Sequence, residues 1–273
     1  MTDTHWTTAL DRLSAVISAP RFGLLSDFDG TLSYFKPYPE VAQLTPRNRE
    51  LIVALTARLP LVALISGRAA RELQSYVQLP DIAYIGNHGL EELRDDEVVV
   101  LEAARVWEER LNNFSRDLGE PTIPGVRHQN KRITMSITYR QAEQPEQVRL
   151  KLQERLQQVN ANYGFQLSEG RTIWEVRPPI AADKGTALAN LIAKHQLDAA
   201  LFLGDDFTDV AAFESLKGLR SAGKIQGLNV AVLGATDIPL VRESADVIAN
   251  NVEDVETLLA WVLEHLPTPT PDA

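Results

Sequence analysis

The sequence predicts an α/β protein with a doubly wound, mostly parallel sheet and an inserted α+β domain. Short apolar runs, each long enough for one strand, alternate with helical patterns before residue 90 and again after residue 180. Such runs are typical of parallel strands that helices cover on both faces. Between these two regions polar and apolar residues alternate instead, which indicates a second, smaller sheet.

The elements of the larger, Rossmann-like domain follow from these patterns. Pro46 suits the first turn of one predicted helix, and Asp183 is a suitable N-cap for another. The predicted strands are 22–28, 61–66, 82–86, 200–204, 229–233 and 245–249. The predicted helices are 8–17, 46–59, 68–77, one that begins at 183, 208–217 and 252–265.

The inserted region has its own set of elements. Residues 133–139 alternate apolar and polar side chains, which predicts a strand with one face in solvent. A helix over 146–161 and two strands within 165–177 follow. We therefore predict a discontinuous core domain of residues 1–90 and 180–273, and an inserted domain of residues 91–179.

Composition excludes several kinds of protein. The 273 residues contain no cysteine and have a net charge of −10. Disulfides and thiolate metal sites are therefore excluded, and the acidic balance argues against a nucleic-acid partner. No apolar run approaches the ~20 residues that span a bilayer, and the first residues do not resemble a secretory signal. We expect a cytoplasmic monomer.

Two apolar strands end in clustered acids, Asp27 and Asp29 after the first and Asp205, Asp206 and Asp209 after the other. Ligands of open parallel sheets bind beyond the carboxyl ends of the strands. Hard carboxylate oxygens suit Mg²⁺, which also accepts substrate phosphate oxygens. The alternative is a pair of solvated turns in which Asp residues act as caps. An EF-hand is excluded because the further acids of that loop are missing.

Two other positions fit the same edge of the sheet. Ser66, Gly67 and Arg68 follow another strand, where a hydroxyl and backbone amides can hold a phosphoryl oxygen. An ordinary helix N-cap is the alternative for Ser66. Lys184 begins a predicted helix, where the helix dipole disfavours a cation, so a functional partner is expected.

These residues together resemble a known family. The run Asp27 to Leu32 (DFDGTL), Ser66, Lys184 and Gly204-Asp205-Asp206 resemble, in order, the four motifs of haloacid-dehalogenase-type phosphatases. Further segments resemble trehalose-6-phosphate phosphatases, in which the inserted domain is a cap over the sugar. These are residues 86–91 (GNHGLE), 169–171 (EGR), 175–178 (EVRP), 183–185 (DKG) and 204–209 (GDDFTD). One departure is Val210, where the family usually has Glu.

The resemblance implies roles for the residues at the core of the site. Asp27 is expected to be the nucleophile and Asp29 the general acid and base. Magnesium is expected on Asp27, the Asp29 carbonyl and Asp205, with support from Asp206 or Asp209. The residues expected to hold the transferring phosphoryl group are Thr31, Ser66, Gly67, Arg68 and Lys184.

The resemblance also implies residues that bind the sugar. They are His88 and Glu91 near the crossover, and Lys131, Arg171 and Glu175 in the cap. Four of them have an ordinary alternative: Lys131 and Arg171 as solvated surface charges, Glu175 as an exposed strand residue, and His88 as a turn histidine.

The function implied is a magnesium-dependent phosphohydrolase that converts trehalose 6-phosphate to trehalose through an aspartyl-phosphate. The alternatives are a phosphatase of another sugar or glycoside phosphate, such as sucrose phosphate or glucosylglycerol phosphate, a phosphosugar mutase, and a non-catalytic sugar-phosphate sensor. A nicotinamide-dependent dehydrogenase is disfavoured because the first strand leads into DFDGTL rather than a GxGxxG loop, and a serine hydrolase because GxSxG is missing.

Overall fold

The computed structural model describes residues 4–34, 42–170, 172–234 and 238–268. Two compact units are formed, one by Met1–Val98 with Ala182–Ala273 and the other by Val99–Ala181. No helix within the described ranges is long and apolar enough to cross a membrane. The cytoplasmic location and the monomeric state stay predictions.

The strands are numbered in chain order. They are β1 (Phe22–Ser26), β2 (Leu61–Ile65), β3 (Ala83–Gly86), β4 (Glu91–Arg94), β5 (Glu97–Val100), β6 (Arg127–Asn130), β7 (Met135–Thr138), β8 (Gln166–Gly170), β9 (Ile173–Arg177), β10 (Ala199–Gly204), β11 (Gln226–Val232) and β12 (Val247–Ala249).

The helices are α1 (Leu10–Ile17), α2 (Pro46–Thr56), α3 (Ala70–Val77), α4 (Glu102–Arg105), α5 (Trp107–Leu118), α6 (Pro145–Asn160), α7 (Lys184–Lys194), α8 (Phe207–Ser221), α9 (Pro239–Ser244) and α10 (Val252–His265). Short 3-10 turns lie at Trp6–Thr8 and Asn87–Gly89.

The larger unit is built on one sheet with the order β12-β11-β10-β1-β2-β3-β4-β5. All neighbours from β12 to β3 pair in parallel. After β1 the chain builds the sheet outward in one direction, and after β10 it builds outward in the other. The boundary between β1 and β10 is therefore the topological switch point, where open α/β sheets bind ligands.

Apolar side chains alternate between the two faces of this sheet. Leu24 of β1 packs in a core with side chains of α1, α2, α3 and α10. Its neighbour Leu25 packs on the opposite face with side chains of α7, α8 and α9. Because both faces are covered, β1, β2 and β10 are buried along their whole length. The predicted fold class, a doubly wound and mostly parallel α/β core, is confirmed.

A hairpin extends the sheet beyond the predicted boundary at residue 90. β4 pairs antiparallel with β3, and β5 continues the sheet next to it. The two turn residues, Asp95 and Asp96, have φ angles of 47° and 63°, as a type I′ turn requires. The sequence pattern that indicates this hairpin is an Asp-Asp pair before the apolar run of Val98 to Val100. The strands predicted from the sequence do not include it.

The smaller unit is a four-stranded sheet with the order β6-β7-β9-β8 and antiparallel pairing throughout. Side chains of α5 and α6 form a core with one face of β7 and β9. The prediction of a solvated face for residues 133–139 was wrong: Thr134 and Ser136 are buried. The alternating pattern distinguishes polar from apolar side chains, but it does not show which of them are exposed. Here β7 is an interior strand, and Ser136 Oγ donates to Glu175.

Asp254 of α10 ties down the N-terminal segment of the larger unit. Its carboxylate accepts from Trp6 Nε1 at 2.8 Å and contacts His5 Nε2 at 2.6 Å. The amide of Asn250 donates to the same carboxylate at 2.8 Å. Partial burial raises the pKa of Asp254, but the hydrogen bonds from Asn250, Trp6 and His5 outweigh it and hold the pKa below its usual value.

We predict that Asp254→Asn lowers the melting temperature at pH 7 by about 2–4 °C, as loss of ~1 kcal/mol does in a domain of this size. A carboxylate with a lowered folded-state pKa stabilises above its unfolded-state pKa, and this is lost as pH falls through the folded-state pKa. The difference between the variant and the unmodified chain should therefore shrink below about pH 4. Thermal unfolding from pH 3 to 7 measures this, and a constant difference over that range would contradict it.

Candidate active site

The nucleophile candidate lies at the switch point of the sheet. β1 and β10 pair with Ser26 opposite Leu203, and the amide of Asp27 donates to the Leu203 carbonyl at 2.8 Å. The pairing therefore continues one residue past β1. It brings Asp27 beside the end of β10, where Asp205 follows directly.

The chain turns sharply after Asp27, and Gly30 is the residue that makes the turn possible. Its φ angle is +83°, in the region that favours glycine. A Cβ atom on Gly30 would overlap Asp205 Oδ2, so any side chain there would displace that carboxylate. Thr31, also buried, donates to Asp205 Oδ1 at 3.2 Å. This turn packs directly against the acidic loop after β10.

Carboxylate oxygens of Asp27, Asp205 and Asp209 lie within 4.8 Å of one another. Lys184 joins two of them: its Nζ is 2.9 Å from Asp27 Oδ1 and 2.8 Å from Asp209 Oδ1. The side chains of Lys184 and Asp209 are 2% and 0% exposed. We call Asp27, Lys184, Asp205 and Asp209 the buried charge cluster.

The local sequence explains why Lys184 is available here. Asp183 and Thr186 form a capping box at the start of α7, which fixes Lys184 as the first helical residue. The helix dipole disfavours a cation at that end. The carboxylates of Asp27 and Asp209 offset this, so the functional partner expected from the sequence is a pair of acids.

The two acids that the sequence left as alternatives, Asp206 and Asp209, have different contacts. Asp206 is the N-cap of α8, and its side chain accepts from the Phe207 amide at 2.7 Å. Asp209 lies one turn into the helix, where its Oδ2 accepts from the amides of Asp205 and Asp206 at 3.2 and 3.0 Å. Asp209, and not Asp206, therefore belongs to the buried charge cluster.

Burial and mutual repulsion dominate the electrostatics of the cluster. Burial raises the pKa of Asp27 to about 7, with Lys184 opposing it and Asp209 and Asp29 adding to it. Burial and the neighbouring carboxylates also raise the pKa of Asp205 well above its usual value. The pKa of Lys184 is lowered by burial, but Asp209 and Asp27 outweigh this and raise it. The amine therefore stays charged.

The donor set of the cluster fits a divalent cation. Three ionised carboxylates and one ammonium carry a net charge of −2, and the oxygens of Asp27, Asp205 and Asp209 are close enough to share one ion. Oxygen-only donors favour hard cations. A cation there would also favour the ionised carboxylates, against the raised pKa values.

The loop after β2 contains Ser66, Gly67 and Arg68, three of the residues predicted to hold the phosphoryl group. Ser66 is buried, and its Oγ accepts from the Arg68 amide at 3.2 Å. Arg68 does not project freely: its Nε and Nη2 donate to the two oxygens of Asp29 at 2.6 and 2.7 Å. The guanidinium predicted to hold phosphate thus binds the predicted acid and base.

His88 and Glu91 lie in the segment that follows β3. His88 is buried with a φ angle of 58°, and its ring packs so closely on Gly67 that a Cβ there would lie 2.6 Å from Cε1. Glu91 accepts from the Ala70 amide at 2.7 Å. Glu91 therefore caps α3, a helix whose own N-cap residue, Ala69, has no capping side chain.

Several polar side chains contact one another on the sheet of the smaller unit. Glu175 Oε1 accepts from Ser136 Oγ at 3.0 Å and lies 3.5 Å from Lys131 Nζ. Glu175 Oε2 is buried and has no hydrogen-bond partner in the described part of the chain. Arg171 lies outside the described residues.

Four features define the class of protein. They are a doubly wound parallel sheet, an aspartate pair after its first strand, a lysine at a later helix start and an acidic loop at the switch point. These are the features of haloacid-dehalogenase-type phosphatases, as the motifs predicted. A model of the trehalose-phosphatase family matches residues 25–238, and the chain belongs to that family. Val210, the departure from the family pattern, is partly buried against the α7–α8 face of the core.

Individual relatives agree with the family assignment. The trehalose-phosphate phosphatase B of Arabidopsis thaliana is 29% identical over 245 residues, which are 82% of this chain and 63% of that protein. The trehalose-phosphate phosphatase of Mycobacterium avium is 31% identical over 221 residues, which are 76% of this chain and 53% of that protein. The chain thus spans about half to two thirds of these relatives' length.

Solved structures have the same fold. The C-terminal domain of the Candida albicans trehalose-6-phosphate phosphatase aligns with a TM-score of 0.78 at 22% identity, over 96% of this chain and 99% of that one. An Aspergillus fumigatus trehalose-6-phosphate phosphatase aligns with a TM-score of 0.60 at 23% identity, over 93% of this chain and 97% of that one.

We predict that a divalent cation raises the melting temperature, by about 5–10 °C at a concentration a hundred times its Kd. Asp205→Asn should lose most of this shift. In EDTA the same variant should melt above the unmodified chain, because an Asp whose folded-state pKa is raised destabilises at neutral pH. Differential scanning fluorimetry with and without Mg²⁺ measures both effects.

Asp11→Asn on the exposed face of α1 is the matched control and should show the full cation shift. An Asp205→Asn protein with an undiminished shift would contradict the cation site.

Proposed function

We propose that this chain is a magnesium-dependent phosphohydrolase that removes phosphate from trehalose 6-phosphate and yields trehalose. The observation that carries the proposal is the buried pairing of Asp27 with Lys184, beside Asp205 and Asp209, at the switch point. The trehalose-phosphate phosphatases among its relatives support the choice of substrate.

In the first step, an Asp27 carboxylate oxygen attacks phosphorus and forms an aspartyl-phosphate. The bond from phosphorus to the sugar oxygen breaks, and the oxygen leaves with the electron pair. Asp29 donates a proton to that oxygen, so a neutral sugar hydroxyl departs.

In the second step, Asp29 takes a proton from water, and the water oxygen attacks phosphorus. The bond to the Asp27 oxygen breaks, which regenerates the carboxylate and releases inorganic phosphate. Lys184, at the first residue of α7, contacts Asp27, and Ser66 and Thr31 lie in the loops after β2 and β1. These three residues would hold the phosphoryl oxygens. Phosphoryl transfer depends mainly on such positioning and charge stabilisation.

Magnesium is the cation we assign to the buried charge cluster. Asp27, the Asp29 carbonyl, Asp205 and Asp209 would hold it. When bound, it would supply positive charge to the phosphoryl oxygens. The acidity of the whole chain is no obstacle, because local potential and net charge are different quantities.

Glu175 is the sugar-binding residue of the smaller unit with the best support. Its Oε2 is buried without a partner in the described residues, and a buried acceptor of this kind is costly unless a ligand satisfies it. Lys131, beside Oε1, adds donors. A ligand rich in hydroxyl groups fits this pair, and a sugar has them.

We predict that the protein releases phosphate from trehalose 6-phosphate in preference to sucrose 6-phosphate, glucosylglycerol phosphate and glucose 6-phosphate, and that EDTA abolishes this. A panel of these esters with and without Mg²⁺, followed by phosphate detection, tests the proposal. Preference for another ester would refute the proposed substrate. Isomerised phosphosugar after addition of a sugar bisphosphate would identify a mutase instead.

Asp27→Asn should reduce turnover by a factor of about 10³ or more, because the amide cannot form the acyl-phosphate. Asp11→Asn is again the control and should retain full turnover. Normal turnover by Asp27→Asn would refute the nucleophile assignment.

Glu175→Gln should raise KM for trehalose 6-phosphate about tenfold and change kcat little, because it weakens binding of the part of the sugar that does not react. Glu154→Gln, at an exposed position of α6, is a control of the same type. An equal loss in kcat with an unchanged KM would contradict a binding role.

A further inference from the structure

Asp29, the proposed acid and base, is fully engaged by Arg68. Both of its carboxylate oxygens accept a guanidinium N–H, at 2.6 Å from Nε and 2.7 Å from Nη2. In this position both oxygens act as hydrogen-bond acceptors of the guanidinium, whereas a general acid has to turn one oxygen toward the leaving group as a donor. Asp29 must therefore leave Arg68, at least in part, when the sugar oxygen departs.

Arg68 has a second set of partners along α3. Its Nη1 donates to Glu72 Oε1 at 3.1 Å, and Tyr76 OH donates to the same oxygen at 3.3 Å. The guanidinium carbon also lies 4.8 Å from the centre of the Tyr76 ring. Glu72 and Tyr76 lie four residues apart on one side of α3, and Arg68 directly precedes Ala69, the N-cap residue of that helix. We call Arg68, Glu72 and Tyr76 the α3 ladder.

The α3 ladder provides Arg68 with a second counter-ion, which the mechanism requires when Asp29 moves away. The Arg68 side chain is only 10% exposed, and a buried guanidinium that loses its carboxylate is strongly destabilised. If Asp29 were its sole counter-ion, Asp29 could not leave at low energy. Glu72, with its side chain 19% exposed, provides a second carboxylate that stays when Asp29 moves.

We propose that Glu72 is a positioning residue, which retains Arg68 through the catalytic cycle so that Asp29 can release the guanidinium and protonate the leaving oxygen. The inference rests on the proposed function, in which Asp29 is the general acid. It gives Arg68 the role of holding and releasing Asp29 rather than that of a phosphate ligand. Tyr76 supports the guanidinium with its ring.

The test compares two aryl phosphates whose leaving groups differ in how strongly they depend on protonation by a general acid. p-Nitrophenolate leaves readily without a proton, whereas phenolate is a more basic leaving group and depends more on Asp29. The ratio kcat/KM reports the steps through formation of the phosphoenzyme. We expect Glu72→Gln to lower kcat/KM for phenyl phosphate by about tenfold and to leave that for p-nitrophenyl phosphate within about twofold.

Glu50→Gln, an exposed change on α2, is the matched control and should leave both values as they are. Tyr76→Leu removes the ring and leaves every carboxylate in place; it should show the same discrimination to a smaller degree. It also serves as the second variant if Glu72→Gln does not fold, as judged by thermal unfolding.

A loss that is equal for both esters, or no loss in either, would overturn the inference, since a merely structural role does not distinguish leaving groups. The proposed function fails separately. If the unmodified protein hydrolyses the aryl phosphates but not trehalose 6-phosphate, the substrate is wrong, and the role of Glu72 is still decided by the two aryl esters.

Discussion

The ion pairs of Lys184 with Asp27 and Asp209 are the interaction on which the rest of the site depends. They join the end of β1 to the first turns of α7 and α8, and every participant is almost fully buried. Removing one partner of a buried pair leaves an uncompensated charge, which is strongly destabilising. Asp205 adds a third carboxylate, so the cluster holds three carboxylates against one ammonium. The fold thus keeps a charge imbalance at its switch point that a divalent cation fits.

Strand order explains how much of this could be predicted. The carboxyl ends of parallel strands share one edge of the sheet. This edge therefore brings together the acids after β1 and β10, the serine after β2 and the lysine at the start of α7. The sequence motifs therefore predicted the fold class and the family correctly, and both are confirmed. The roles of individual residues stay predictions. The hairpin of β4 and β5 was not assigned, although its two-residue turn left a recognisable pattern.

Side-chain partners could not be predicted in the same way. Sequence spacing brings Asp206 and Asp209 to the same helix start but does not say which one caps the helix and which one turns inward. It likewise brings Arg68 to the site without revealing its bidentate contact with Asp29. The contact by which the Glu91 carboxylate caps α3 was also not foreseen, and its role toward the sugar stays a prediction. Such choices depend on rotamers and on contacts between distant segments.

In the proposed mechanism Asp27 becomes phosphorylated during every turnover. Borohydride reduces an acyl-phosphate to an alcohol, which would convert a phosphorylated Asp27 to homoserine. Peptide mass spectrometry after a borohydride quench of the protein, Mg²⁺ and trehalose 6-phosphate locates that change directly. We expect homoserine at position 27 only when substrate is present. Reduction at any other aspartate, or turnover that leaves no reducible residue while phosphate is released, would contradict it.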